Sequence, residues 1–288
     1  MAHADAADTD TDNAADTDTE AEADTEAEAE ADTDGDSESE AEAASRSPIR
    51  DRPPIETGRA LSLLRGGEVS LLGRMPYSSN ATFLVDVAHE GLEAQAVYKP
   101  VRGERPLWDF PSGLAHREAG AFCMAEALGW DVVPPTVVRG DLPFGEGSLQ
   151  LFMPAHFEEH YFTLVQQQQF RGELRRICAL DLAINNTDRK SGHCLLGTDG
   201  TLWAIDNGLS FHAQFKLRTV IWDFAGEPLP EDLTRDLAGL LGDGLPEPLS
   251  AALTPLERDA TVTRVEAILA EGRFPSDDGD HRWPWPLV

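Results

Sequence analysis

Lysine is scarce in this chain of 288 residues: three lysines, Lys99, Lys190 and Lys216, stand against 20 arginines. The first 45 residues hold no Lys or Arg, only 18 Asp and Glu set among Ala, Thr and Ser. So charged and apolar-poor a segment cannot bury a core, and residues 1–45 are expected to be disordered. They also lack the apolar stretch of a secretory signal. No apolar run anywhere is long enough to cross a membrane as a helix. The three cysteines, Cys123, Cys178 and Cys194, have no CxxC spacing, which excludes a disulfide framework and points to reduced thiols in a cytoplasmic protein. A zinc site from His193 and Cys194 is not expected either, because two adjacent residues alone cannot supply four ligands. The net charge is −29, and −11 without the first 45 residues. That balance argues against a nucleic-acid partner and an anionic membrane surface.

Beyond the acidic segment, residues 46–57 are rich in Pro and Arg and read as a linker. The 231 residues from 58 to 288 are enough for a sizeable core and two lobes, divided between 153 and 154. The expected elements are a short helix over 60–64 and strands over 68–72, 81–87, 94–99, 136–139 and 148–152. A helix over 114–128, closed by Gly129, lies among them. Further on, apolar spacing predicts one helix over 163–184, with Leu164, Phe170, Leu174, Ile177 and Leu180-Asp181 on its stripe. Thr254-Pro255-Leu256-Glu257 opens another over 255–271, expected to bury Val262, Val265 and Ile268-Leu269. The apolar C-terminus, RWPWPLV, is expected to dock on the second lobe.

The chemistry gathers in residues 185–208, which begin NNTDRKSGHCLL and end LWAIDNG. Asp188 and Asp206 bracket a short hairpin turned by Gly197-Thr198-Asp199-Gly200. With Asp199-Gly200 as a two-residue loop, Thr198 faces Thr201, Leu196 faces Trp203 and His193 lies opposite Asp206. Carboxylates so placed suit a phosphate site with a bound metal, where one acid orients the nucleophile. Phosphoryl transfer also needs a lysine at the nucleotide phosphates and an acid on a helix to hold it. Lys99 ends a strand-like run, and Glu118 follows 19 residues later in a helical stretch. Between two strands lies GRMPYSSNATF, with Ser78, Ser79 and Asn80 at its tip, where N–H and hydroxyl groups can cradle phosphate. Lys190 can neutralise a transferred phosphoryl group, and Arg189 is expected to fix the loop by binding a carboxylate.

NNTDR and AIDNGLSF resemble the catalytic and metal loops of the phosphatidylinositol 3- and 4-kinase-like group, the type II 4-kinases most closely and the HipA-like kinases more distantly. The resemblance spans roughly residues 65–225. It implies an α+β, two-lobed protein-kinase-like fold with a small mainly-β N-lobe carrying one helix and a larger mainly-α C-lobe. It further implies ATP and Mg²⁺ or Mn²⁺ as cofactors and a hydroxyl-bearing substrate of unstated class. Asp188 is then the catalytic acid, Asp206 the metal ligand, Lys99 the contact to the α and β phosphates and Glu118 its partner. Backbone groups of Phe152 and Met153 receive the adenine. One position departs from the family: His193 stands five residues after Asp188, where such kinases carry Asn or Asp as second metal ligand. Imidazole prefers softer ions than Mg²⁺, so His193 binds Mn²⁺, reaches phosphate through a proton, or orients Asp206. A nucleotide-binding pseudokinase and an AMP-transferring enzyme are the alternatives.

Overall fold

Alternating apolar residues between 83 and 98 build the centre of a five-stranded antiparallel sheet in the computed structural model, which describes residues 52–76, 80–276 and 283–287. The expectations for residues 1–45, Ser78 and Ser79 lie outside the described residues. Helix α1 (Thr57–Gly66) comes first and is longer than the expected 60–64, because the Glu56 carboxylate accepts the N–H groups of Gly58 and Arg59. Strands β1 (Glu68–Arg74), β2 (Phe83–His89) and β3 (Leu92–Pro100) follow, then helix α2 (Leu114–Ala127) and strands β4 (Thr136–Arg139) and β5 (Gly147–Leu151). The sheet order is β1-β2-β3-β5-β4. Between β2 and β3, Glu90 and Gly91 both have positive φ, 47° and 79°, as a two-residue turn of the type that matches strand twist requires. Val85, Val87, Ala96, Tyr98, Leu149 and Leu151 are buried, with Leu63 and Leu64 of α1 and Ala121 and Met124 of α2 in the same core. The Glu104 carboxylate, from the loop after β3, accepts the N–H groups of Gly113 and Ala115 and so caps α2 from outside the helix.

The C-terminal region is helical: α3 (Tyr161–Leu164), α4 (Arg171–Ile184), α5 (Glu231–Asp243), α6 (Glu247–Ala252) and α7 (Pro255–Glu271), with a small sheet of β6 (Ala155–His156), β7 (Cys194–Gly197) and β8 (Leu202–Ala204). Helix α4 is its axis, and every residue from Ile177 to Ile184 is buried. The single helix expected over 163–184 is in fact broken between Leu164 and Arg171, with a 3-10 turn at Gln168–Phe170. Leu164 stands six residues before Phe170, off the spacing that keeps side chains on one helix face, so one rod cannot bury both. Helix α7 has the expected bounds and cap, but Thr261 and Arg264 are buried where Val262 and Leu269 are only half-buried. Gly120 of α2 lies against α6 and Phe211: a Cβ there would stand 2.9 Å from Leu249 Cδ1 and 3.3 Å from Phe211 Cε2. The C-terminal segment docks at the turn before β7, the Leu287 carbonyl accepting the Ser191 N–H at 2.8 Å.

The β7–β8 hairpin is one residue out of the expected register. Cys194 pairs with Ala204, Leu195 with Trp203 and Leu196 with Leu202. The loop has three residues, Thr198 to Gly200, closed by Gly197 N–H to Thr201 O. The Asp199 carboxylate accepts the Thr201 N–H, and Gly200 takes φ 86°, the left-handed residue that ends such loops. His193 therefore lies opposite Ile205, not Asp206.

Candidate active site

Each residue of Asn185-Asn186-Thr187-Asp188-Arg189 has a separate task in shaping the loop after α4. Asn185 ends the helix in the left-handed region, and its amide donates to His212 O and Gln214 O while accepting the Lys216 N–H. Asn186 donates to Asp181 and accepts the Asp188 N–H. Thr187 bonds Leu209 through both N–H and hydroxyl. Arg189 is fully buried and forks onto Asp181 of α4 at 2.9–3.2 Å. Its remaining donors reach Ile205 O at 2.6 Å and Asn207 Oδ1 at 2.5 Å. One buried guanidinium thus locks the Asp188 loop to the Asp206 loop.

Asp206 then emerges at φ 57°, a left-handed conformation that Asp tolerates better than most residues. That turn compensates for the shifted register. It brings Asp206 Oδ2 to 3.4 Å from His193 Nε2, and Oδ1 to 2.9 Å from Lys99 Nζ. Lys99 also meets Glu118 Oε2 at 2.9 Å, and Glu118 Oε1 accepts the Asn207 N–H at 2.9 Å. Glu118 therefore holds Lys99 and the Asp206 loop together. Gly208 permits this approach, since a Cβ there would lie 3.3 Å from Glu118 Oε2. On the facing side Lys190 Nζ pairs with Asp188 Oδ2 at 2.8 Å.

Lys99, Glu118, Asp188, Lys190 and Asp206 line one cleft of about 270 Å³, with Asn80, Glu104, Arg105, Leu107 and Leu209 in its walls, whereas His193 touches Asp206 from outside that lining. Asn80 Oδ1 accepts the Arg105 N–H at 3.0 Å and so ties the loop after β3 to the start of β2. Phe152 and Met153 do not line this cleft. The Phe152 N–H donates to Gln95 O at 3.0 Å, and its carbonyl accepts from Arg52 at 2.8 Å. Met153 lines a second cavity with Phe122, Trp130 and Trp203. Asp181, Asn207 and Glu104 are the residues that sequence reasoning missed. For Asp181 the signal was an acid inside an apolar helix stripe, eight residues before an arginine.

The electrostatics follow from burial and pairing. Burial opposes the charge on Lys99, yet Asp206 and Glu118 outweigh it and raise its pKa. Lys99, above all, holds the Asp206 carboxyl far below the usual range. Burial raises Asp188, with the Lys190 ammonium pulling the other way. Burial also drives His193 down to about 4, so its imidazole is neutral at pH 7. A divalent cation fits this donor set only in part-ligated form. Among the described residues no three His, Cys, Asp or Glu side chains converge. Asp206 and His193 offer two donors, and phosphate oxygens and water would complete the shell, as is usual for Mg²⁺ at nucleotides.

Residues 131–251 match the family described as phosphatidylinositol 3- and 4-kinase. Protein Rv2133c of Mycobacterium tuberculosis is 37% identical over 262 aligned residues, covering 78% of this chain and 94% of that protein. Among solved structures, the Golgi casein kinase with Mn/ADP bound superposes with a TM-score of 0.50 at 16% identity, over 81% of this chain and 80% of the other. Hydra Fam20 with sugar gives 0.51 at 14%, over 76% and 89%. These likenesses show a protein-kinase-like fold. Among the described residues no helix is long and apolar enough to cross a membrane.

Proposed function

The chain belongs to the phosphatidylinositol 3- and 4-kinase-related family that includes Protein Rv2133c, and on that premise we propose that it is an ATP-dependent phosphotransferase acting on a hydroxyl acceptor. One observation carries the proposal: Lys99 bridges Glu118 and Asp206, at 2.9 Å each, in a cleft whose opposite wall presents the Asp188–Lys190 pair. A phosphate-binding cation, its helix acid, a metal-binding acid and a proton acceptor are what in-line phosphoryl transfer requires of a protein.

In this reading ATP lies between residues 58–153 and 154–288. Lys99 holds the α and β phosphates, and Glu118 keeps its ammonium in place. The tip at Ser78, Ser79 and Asn80 covers the phosphates. Phe152 and Met153 stand outside the lining of the cleft, and the Phe152 backbone already bonds Gln95 and Arg52, so of the two only the Met153 backbone is proposed for the adenine. A divalent ion on Asp206 and His193 would neutralise charge developing on the phosphates. Asp188 takes the proton of the acceptor hydroxyl as its oxygen attacks the γ-phosphorus and ADP leaves with the bridging oxygen, and burial, which raises the pKa of Asp188, favours that task. Lys190 holds Asp188 and faces the transferred group. Catalysis rests on positioning and electrostatics rather than on a covalent intermediate. The free thiols of Cys123, Cys178 and Cys194 support a reducing, cytoplasmic setting.

A thermal-shift titration with ATP and Mg²⁺ or Mn²⁺, on wild type and Asp206→Ala, tests the cleft, because a ligand of the native state raises the midpoint. The expected result is a metal-dependent rise in wild type that the variant loses. No rise with either metal would sink the proposal. Product analysis then separates the classes: ADP marks phosphoryl transfer, pyrophosphate marks AMP transfer, and tight binding without turnover marks a pseudokinase.

A further inference from the structure

Lys190 reaches the cleft from a point of the chain held between two backbone anchors. Its side chain and that of Asp188 line the cleft, joined at 2.8 Å. Upstream, the Arg189 N–H donates to Arg218 O at 3.1 Å, and the Arg189 carbonyl accepts the Val220 N–H at 3.0 Å. Downstream comes the 3-10 turn Ser191–His193, whose internal ties are weaker. The Lys190 N–H meets the His193 ring at 3.4 Å, the limit of hydrogen-bond distance, and the His193 N–H closes on Lys190 O at 3.1 Å. Neither bond reaches beyond residues 190–193. The Ser191 N–H does, donating to the Leu287 carbonyl at 2.8 Å. Ser191 is fully buried, and a buried donor left unmet is costly. The carbonyl that meets it comes from residues 283–287, which form no helix or strand and are held by apolar contacts. Trp283 lies against Trp222 with ring centroids 6.5 Å apart, Pro284 is buried, and Leu287 packs half-buried on the core. Trp222 stands two residues after Val220, so the segment that holds Arg189 and the segment that holds Ser191 touch each other. Lys190 lies between them.

On the phosphotransfer reading, we infer that residues 283–287 are a strap that positions Lys190, and through it Asp188, against the acceptor hydroxyl. Trp283 and Leu287 are positioning residues: neither lines the cleft, and both act through the Leu287 carbonyl. The nucleotide half of the site is held separately, by Glu118 on the Asn207 N–H and by Arg189 on Asn207 Oδ1. Releasing the strap should therefore leave nucleotide binding in place and spoil the transfer, where a displacement of about 1 Å costs on the order of a hundredfold in rate.

Trp283→Ala combined with Leu287→Ala removes both outer apolar anchors of the strap and tests its role. Hydrogen exchange of the Ser191 amide reports the bond to Leu287, since that N–H exchanges only when the loop opens. Turnover is read as ADP release with water as the acceptor, so no acceptor has to be identified first. The expected result is faster exchange at Ser191 and a kcat lower by on the order of a hundredfold. The KM for ATP and the thermal rise with ATP and Mn²⁺ should stay as in wild type. Trp283→Phe alone, which keeps a ring against Trp222, should retain wild-type exchange and kcat. Unchanged exchange at Ser191, or faster exchange with an unchanged kcat, would overturn the inference and leave the phosphotransfer reading intact. So would a loss of the ATP-dependent rise together with kcat, which would make the strap part of the fold at large. Wild type that binds ATP without releasing ADP, or that shows no thermal rise at all, would remove the phosphotransfer reading and the role of the strap with it.

Discussion

Two ionic clusters lie side by side in this protein, and they differ in what water does to them. In the outer one, Lys99 bridges Glu118 and Asp206 at the cleft, with half of the Asp206 side chain exposed. In the inner one, Arg189 forks onto Asp181 and reaches Asn207, and all three are fully buried. Solvent reaches Asp206 and part of Lys99, though not the buried Glu118, so Asp206 and Lys99 are free to exchange one another for ligands. Nothing replaces the partners of the inner cluster, so it serves as a fixed pin between the Asp188 and Asp206 loops. In the proposed reaction, residues adjacent in sequence, Asp206 and Asn207 or Asp188 and Arg189, divide the labour between chemistry and framework.

Breaking the inner cluster should have the largest effect. Arg189→Leu leaves Asp181 buried without its cation, and losing one partner of a buried pair costs about 3–5 kcal/mol. Urea unfolding should show that drop in midpoint with an unchanged slope. The double variant Asp181→Leu, Arg189→Leu should recover part of the loss, because it removes the unpaired buried charge but leaves Ile205 O and Asn207 Oδ1 without their donor. A single-variant cost below about 1 kcal/mol, the range of exposed pairs, would erase the distinction between the clusters.

A second buried pair, Arg117 of α2 with Glu257 of α7, extends the comparison to pH. Burial opposes the Glu257 charge, but hydrogen bonds from Arg117 and Thr254 prevail and hold its pKa below the ordinary 4.5. A depressed carboxylate contributes stability that is present above the unfolded value and lost as pH falls through the folded one. Wild type should therefore destabilise below about pH 4.5, and Glu257→Gln should flatten that acid limb in a pH series of thermal midpoints. Gly120→Ala comes next. Its Cβ would meet Leu249 at 2.9 Å, and overpacking of this kind costs about 1–3 kcal/mol. A neutral result would mean that α6 can shift.

The same contrast decides what could be read in advance. That Lys99, Glu118, Asp188 and Asp206 meet in one cleft was legible because their types follow one another in the order of the kinase-like group that the chain resembles. The five strands of the main sheet were placed within two residues, since alternation and turn residues mark them clearly. Asp181 and Asn207 were not visible, for a framework role depends on three-dimensional partners: Asp181 reads as one member of an apolar helix stripe. The hairpin register failed for a similar reason. Asp-Gly suits loops of two residues or three, and the choice rests on the Asp199 carboxylate bonding the Thr201 N–H, which no spacing reveals. The helix over 163–184 failed because Leu164 and Phe170 were placed on one stripe that six residues cannot connect.

The smallest stability change should come from the residue with the largest consequence for ligands. Asp206→Asn keeps the shape of the side chain and removes its charge. Lys99 retains Glu118 at 2.9 Å, and the Asn207 N–H retains Glu118 as well, so the loop stays pinned from both sides. The lost pair is half exposed on the Asp206 side, and pairs of that kind contribute under about 1 kcal/mol. Asn also tolerates the left-handed backbone that Asp206 adopts, so no strain is added. The unfolding midpoint without ligand should barely move, while the rise produced by ATP with Mn²⁺ should disappear. If the variant instead unfolds several kcal/mol more easily, Asp206 belongs with Arg189 as framework, and the division drawn between the two clusters is wrong.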